Sequence, residues 1–168
     1  MAKKSVGKIF EDEIKASIPV DFYVERYKDD TAGFYGVSNP ADYRIYKYPL
    51  LFLLELKSHK GKSLPLAKIR ENQIKGMLKA AKYAGICAGF LINYRDLEKT
   101  FYISVREIVA EYYEVDTRGN VKAKEGIRKS IPVEWCEDHG EIIGQELKRV
   151  RYKYNLEKFF RRYFDEKV

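Results

Sequence analysis

The sequence predicts an α/β fold in which helices flank a mixed central sheet. Three observations lead there. Residues 50–57, Leu-Leu-Phe-Leu-Leu-Glu-Leu-Lys, are apolar up to the last three positions, as in a strand buried on both faces. Helical apolar spacing lies on either side of it, at Val6, Ile9, Phe10 and Ile14 and again across 66–83. Shorter strand-like runs alternate with these helices along the chain.

The elements follow in order. A first helix spans about 4–17 and stops before Pro19. Residues 20–27, rich in Tyr and Val, form a strand, and 29–36 is turn-rich. Two strands, 42–47 and 50–57, join near Tyr48-Pro49. A loop at 61–63 precedes a helix over 66–83, which Gly85 ends. Strands at 86–93 and 100–104 enclose a turn, and a short helix covers 105–113. The stretch 116–140 is polar and irregular, and a last, basic helix runs over about 144–164.

Composition narrows the function. The 168 residues suit a single domain, 1–168, and the 45% hydrophobic content supports a core. A net charge of +7 with 14 tyrosines and 9 phenylalanines favours a polyanionic partner, nucleic acid first, with a ribosome-associated or merely basic protein as the plainer reading. No apolar run reaches the roughly 18–20 residues that span a bilayer, and no signal core follows the basic start, so a cytoplasmic protein with no membrane partner is expected. Cys87 and Cys136 do not make a disulfide framework, and Cys136 with His139 supplies only half of a zinc site.

The chemistry concentrates at the end of the apolar strand. Glu55 and Lys57 share a face, because strand side chains alternate. Asp42 and Glu55 are equally distant from the Tyr48-Pro49 turn, so a symmetric hairpin sets Asp42 directly opposite Glu55, with Cβ atoms roughly 4.5–5.5 Å apart. Two carboxylates that close repel unless a cation lies between them, and Mg²⁺ suits oxygen ligands. Such an ion acidifies a water for attack on a phosphodiester, and a lysine beside it orients that water or stabilises the growing charge. The plainer reading of Lys57 is a strand-end ion pair. Glu11 lies beside the apolar face of the first helix, with Glu13 its rival on spacing, and Gln73 reads on residue type alone as an exposed helix polar.

Gly7-Lys8-Ile9-Phe10-Glu11, Asn39-Pro40-Ala41-Asp42-Tyr43 and Glu55-Leu56-Lys57 together resemble the PD-(D/E)xK nuclease superfamily. Ser63-Leu64-Pro65-Leu66 followed by Asn72-Gln73, and Ile127-Arg128-Lys129-Ser130-Ile131, are similar to the RecU family of Holliday-junction resolvases, with archaeal-type resolvases as close rivals. The resemblance covers about 5–160. It implies a restriction-endonuclease-like core and a homodimer that cuts four-way DNA junctions symmetrically with Mg²⁺, for which Mn²⁺ substitutes. It implies Asp42 and Glu55 as metal carboxylates, Lys57 as the transition-state lysine, Gln73 as the helix glutamine near the metal, and Glu11 as the acid of the first helix. Two departures stand out. Pro40 occupies the place of a frequent family threonine, which Ser38 or a backbone carbonyl would replace. The segment 27–37 is short where the family has a projecting stalk, as in a shortened phage version.

Phosphate contacts are expected from Arg26, Lys60, Lys62, Arg70 and Lys75, with Lys68 nearby, and from Arg149, Lys153 and Arg161 in the basic tail. Residues 148–168 hold eight Lys or Arg against three acids. Tyr152 and Tyr154 pack on sugar or base, or face the core with Leu156, Phe159 and Phe160. Other readings are a restriction or repair nuclease of the same core, and a non-catalytic nucleic-acid-binding protein.

Overall fold

The computed structural model describes residues 4–27 and 39–167; the turn-rich 29–36 and Ser38 lie outside them. In chain order the helices are α1 (Val6–Ser17), α2 (Glu71–Ala80), α3 (Val105–Tyr112), α4 (Val133–His139) and α5 (Leu156–Lys167). The strands are β1 (Tyr23–Arg26), β2 (Tyr43–Lys47), β3 (Leu50–His59), β4 (Ser63–Pro65), β5 (Ile86–Tyr94), β6 (Lys99–Ser104), β7 (Tyr113–Val115), β8 (Val121–Ala123), β9 (Ser130–Pro132), β10 (Glu141–Ile142), β11 (Gln145–Lys148) and β12 (Arg151–Tyr154).

Six strands form the central sheet in the order β1-β2-β3-β5-β6-β10. Only β3 and β5 run parallel within it; the other neighbours are antiparallel, so the sheet is mixed, as the sequence predicts. The β3–α2–β5 crossover places α2 on one face, where parallel pairing requires a long connection. Alternation along β3 divides its side chains between two cores. Leu53 and Leu51 pack with Ile74 and Met77 of α2, Ile108 of α3 and Cys136 of α4. Leu50, Phe52, Leu54 and Leu56 pack with Phe10 and Ile14 of α1 and Phe159 and Phe160 of α5.

The C-terminal segment differs from the expected helix. It forms a β11–β12 hairpin and only then α5. Arg149, at φ 56°, makes the tight reversal, and the side chain of Asn155 caps α5 by accepting from the Lys158 N–H at 3.1 Å. The alternation of Leu147, Tyr152 and Tyr154 belongs to strands, and only Leu156 onwards carries the helical repeat. The expected helix over 66–83 is likewise a 3-10 turn at Leu66–Lys68 followed by α2. The stretch 116–140 is more ordered than expected, with β8, β9 and α4 inside it. No helix among the described residues is long and apolar enough to cross a membrane.

Gly89 sits where β5 meets β6. A Cβ there would lie 2.4 Å from the Ile103 carbonyl oxygen and 2.7 Å from the Tyr102 ring. Since one obstacle is backbone, Gly89→Ala is expected to cost roughly 3 kcal/mol or more, an overpacking penalty at its upper end; thermal unfolding checks it.

Candidate active site

The site lies in the carboxyl-terminal half of β3. Glu55 is 2% exposed, a charged residue inside an apolar strand. Its Oε1 accepts hydrogen bonds from Lys57 Nζ at 2.6 Å and from Gln73 Nε2 at 2.7 Å. Its Oε2 is buried and has no hydrogen-bond partner among the described residues. An orphaned carboxylate oxygen of this kind is costly unless a ligand completes it.

Asp42 stands one residue beyond the last regular pair of the β2–β3 ladder, Tyr43 with Leu54. Its N–H donates to the Leu54 carbonyl at 3.1 Å, and its Oδ2 accepts from the Leu56 N–H at 2.7 Å. Asp42 therefore brackets Glu55, bonding the residue before it and the residue after it. The mirror symmetry about Tyr48-Pro49 holds through the ladder, and Asp42 completes it with a side-chain bond in place of a strand pair. Burial first, and the Glu55 charge second, push the Asp42 carboxyl up to about 7. The Leu56 N–H and Lys57 lower it, and Glu11 raises it further.

Gln73 is 8% exposed and belongs to the site, not to solvent. Its two ends have separate tasks. The amide oxygen accepts from the Arg70 N–H at 3.3 Å, closing the first turn of α2, while the amide nitrogen reaches Glu55. The group placed against the carboxylate is thus a donor, which orients Glu55. Pro40 packs on the same helix: a Cβ at Gly76 would lie 2.9 Å from the Pro40 Cβ. This contact ties the chain entering Asp42 to the helix carrying Gln73. Gly76→Ala gains up to about 1 kcal/mol of helix propensity and loses this close approach. It is expected to leave stability nearly unchanged while lowering cleavage severalfold, measured as Tm and initial rate.

Glu11 is at the margin. Its Oε2 lies 3.2 Å from Arg26 and 3.0 Å from Lys8. Arg26, expected on phosphate, is therefore committed to Glu11. Glu13, the rival, is elsewhere: it is 3% exposed, and its two oxygens take Arg95 at 2.6 and 3.0 Å. The Tyr152 N–H also donates to it at 3.0 Å. Spacing carries a signal for Glu13, which falls between Phe10 and Ser17 on the buried face of α1, but none for Arg95. The clamp fastens the β11–β12 hairpin to α1 and to the turn after β5, at the end of the sheet that carries Glu55.

Lys60, Lys62 and Arg70 are exposed, the first two beyond the end of β3 and the third at the start of α2. Lys75 instead meets Asn120 at 3.0 Å. Arg149 and Lys153 are exposed on the hairpin. Lys68 Nζ lies 3.3 Å from His59 Nδ1, and burial followed by the Lys68 charge holds His59 below its ordinary value.

The donor set fits Mg²⁺. Two carboxylates converge with one orphaned oxygen, and Mg²⁺ is commonly held by one or two carboxylates plus substrate oxygens. Among the described residues no group of three or more His, Cys, Asp or Glu is placed to hold a metal ion. Cys136 is buried, with its sulfur 3.3 Å from the Tyr94 hydroxyl.

The model of the RecU family, recombination protein U, matches residues 8–158. The chain is 30% identical to the SPbeta prophage-derived uncharacterized protein YotM of Bacillus subtilis, over 94% of this chain and 86% of that protein. It is 30% identical to the Holliday junction resolvase RecU of Oceanobacillus iheyensis over 77% of this chain, and spans 63% of that relative's length. The Holliday junction resolvase Hjc of Archaeoglobus fulgidus is similar in fold, with TM-score 0.52 and 14% identity over 80% of this chain and 93% of that one. Its sheet, its flanking helices and the match across 8–158 agree: the chain belongs to the RecU family and has a restriction-endonuclease-like fold.

Proposed function

We propose that the chain is a Mg²⁺-dependent endodeoxyribonuclease that resolves four-way DNA junctions in the cytoplasm. The observation that carries this reading is the buried Asp42–Glu55 pair, with the Glu55 Oε2 lacking a donor among the described residues and Lys57 alongside. Asp42 and Glu55 would hold the ion. When bound, Mg²⁺ neutralises the two carboxylates and supplies Lewis acidity for phosphodiester hydrolysis. The protein's own groups do the rest. The Leu56 N–H and the Gln73 amide hold the two carboxylates in fixed orientations. Lys57 donates to the charge that accumulates on the phosphoryl oxygens in the transition state. Exposed Lys60, Lys62, Arg70, Arg149 and Lys153 take flanking phosphates.

Symmetric resolution needs two such sites related by a two-fold axis, so a homodimer is part of the proposal. The family assignment and the net charge of +7 support the DNA-junction reading. A labelled mobile junction incubated with and without Mg²⁺ tests the reading, beside a linear duplex of equal length. Junction cutting that requires Mg²⁺ is expected. Equal cutting of the duplex would indicate a restriction or repair nuclease, and salt-dependent binding without hydrolysis a non-catalytic protein.

A further inference from the structure

We infer that the open face of β1 and β2 beside Asp42 is a track for one DNA strand, in which Arg44 holds a phosphate and the Tyr23–Tyr46 pair stacks on an unpaired base. This rests on the nuclease reading and extends it to how the substrate strand is held. Arg44 and Tyr46 are paired with Leu53 and Leu51, so they share the sheet face that carries Glu55. Tyr23 pairs with Tyr46 and Glu25 with Arg44 across β1. The track therefore starts at Asp42 and proceeds two residues at a time, in steps of roughly 6.6 Å at strand rise. That step approximates the distance between neighbouring phosphates of one strand.

The side chains along it are accessible. Tyr23 is 60% and Tyr46 41% exposed, although they oppose each other directly. Isolated exposed tyrosines are ordinary; a cross-strand pair with both rings in solvent, continuous with an arginine and a nuclease site, is not. The Arg44 side chain is 41% exposed and lies over the Tyr27 ring, 5.0 Å from its centroid. Its Nε donates to the Tyr27 hydroxyl at 3.1 Å and lies 3.5 Å from Glu25. The Glu25 contact is an exposed pair of the kind that contributes little, so a phosphate displaces it readily. The Tyr27 shelf keeps the guanidinium plane fixed for a bidentate contact.

The occupant follows from charge and size. A cation next to exposed aromatic faces is the arrangement that single strands select, because every base offers a π-face. Two rings and one arginine fall far short of the roughly 800 Å² per partner of a stable protein interface. A junction supplies the strand, since bases at its crossover open at low cost relative to a continuous duplex.

The test uses the full chain in Ca²⁺ without Mg²⁺, with a four-way junction carrying 2-aminopurine next to the crossover. Wild type is expected to quench the probe on binding. Tyr23→Ala/Tyr46→Ala is expected to lose the quench and about tenfold in junction affinity, with duplex affinity unchanged, and Tyr23→Phe/Tyr46→Phe to restore both. Arg44→Ala is expected to weaken binding about tenfold and to lower the salt slope by about one. Wild-type quench and affinity in the alanine variants would overturn the track. So would conversion of a wild-type dimer to monomer by the double alanine variant, which would make the face a subunit contact. Mg²⁺-dependent cutting by wild type is scored separately, so the track can fail while the nuclease reading stands, and the reverse.

Discussion

Asp42→Asn and Glu55→Gln are each expected to reduce junction cleavage by about a thousandfold or more, the scale seen when a group that stabilises transition-state charge is removed. Junction affinity measured without Mg²⁺ is expected to change by less than about threefold, because phosphate contacts dominate binding and these carboxylates oppose it. Stability is the more diagnostic readout. Asp42 is held beside a second carboxylate, and its raised pKa reflects burial and that charge. Asparagine keeps an oxygen for the Leu56 N–H and removes the repulsion. Asp42→Asn is therefore expected to raise Tm in the absence of divalent ions; a gain of about 1 kcal/mol corresponds to about 2–4 °C at this chain length. A site that gains stability as it loses activity is the pattern of a functional charge pair, whereas a strand-end structural pair loses both.

Arg95→Met is expected to be the most damaging single change outside the site. It strips Glu13 of the cation that spans both its oxygens and leaves a buried carboxylate with only the Tyr152 N–H and the Tyr154 hydroxyl. Breaking a buried ion pair in this way costs roughly 3–5 kcal/mol, equivalent to about 6–20 °C in Tm. The pH dependence has a definite sign. Burial alone would raise the Glu13 carboxyl, but Arg95 and the Tyr152 N–H outweigh it and hold the pKa below the ordinary 4.5. A depressed carboxyl contributes stability that is complete above its unfolded pKa and is lost as pH falls through the folded one. The acid limb of the wild-type stability curve therefore lies below about 4.5 and is expected to flatten in Glu13→Gln. Because the same clamp holds the hairpin bearing Arg149 and Lys153, Arg95→Met should also weaken junction binding. A Tm within about 2 °C of wild type and unchanged binding would show that the clamp does not hold the hairpin in place.

The central sheet was legible because burial on two faces leaves a continuous apolar run, and Leu50–Leu56 has one. Asp42, Glu55 and Lys57 were legible for a related reason: charge at the end of such a strand has few uses, and mirror distance from Tyr48-Pro49 brought the two acids together. Gln73 was not legible by type. Its burial depends on the crossover that lays α2 over β3, a tertiary fact that no local pattern contains. Glu13 stood in the sequence only as a rival of Glu11 on spacing, and its partner Arg95 lies 82 residues away. The tail was misread because Tyr152, Leu156, Phe159 and Phe160 mix strand and helix periods. Asn155, the cap of α5, marks where one gives way to the other.

Whether Asp42 and Glu55 form the cleavage site is tested most directly by strand cutting of a uniquely end-labelled four-way junction in Mg²⁺, followed in parallel for wild type, Asp42→Asn and Glu55→Gln. Paired incisions in opposing strands are expected with wild type, none without Mg²⁺, and none with either variant although both bind the junction. Incision by both variants at the wild-type rate would contradict that assignment.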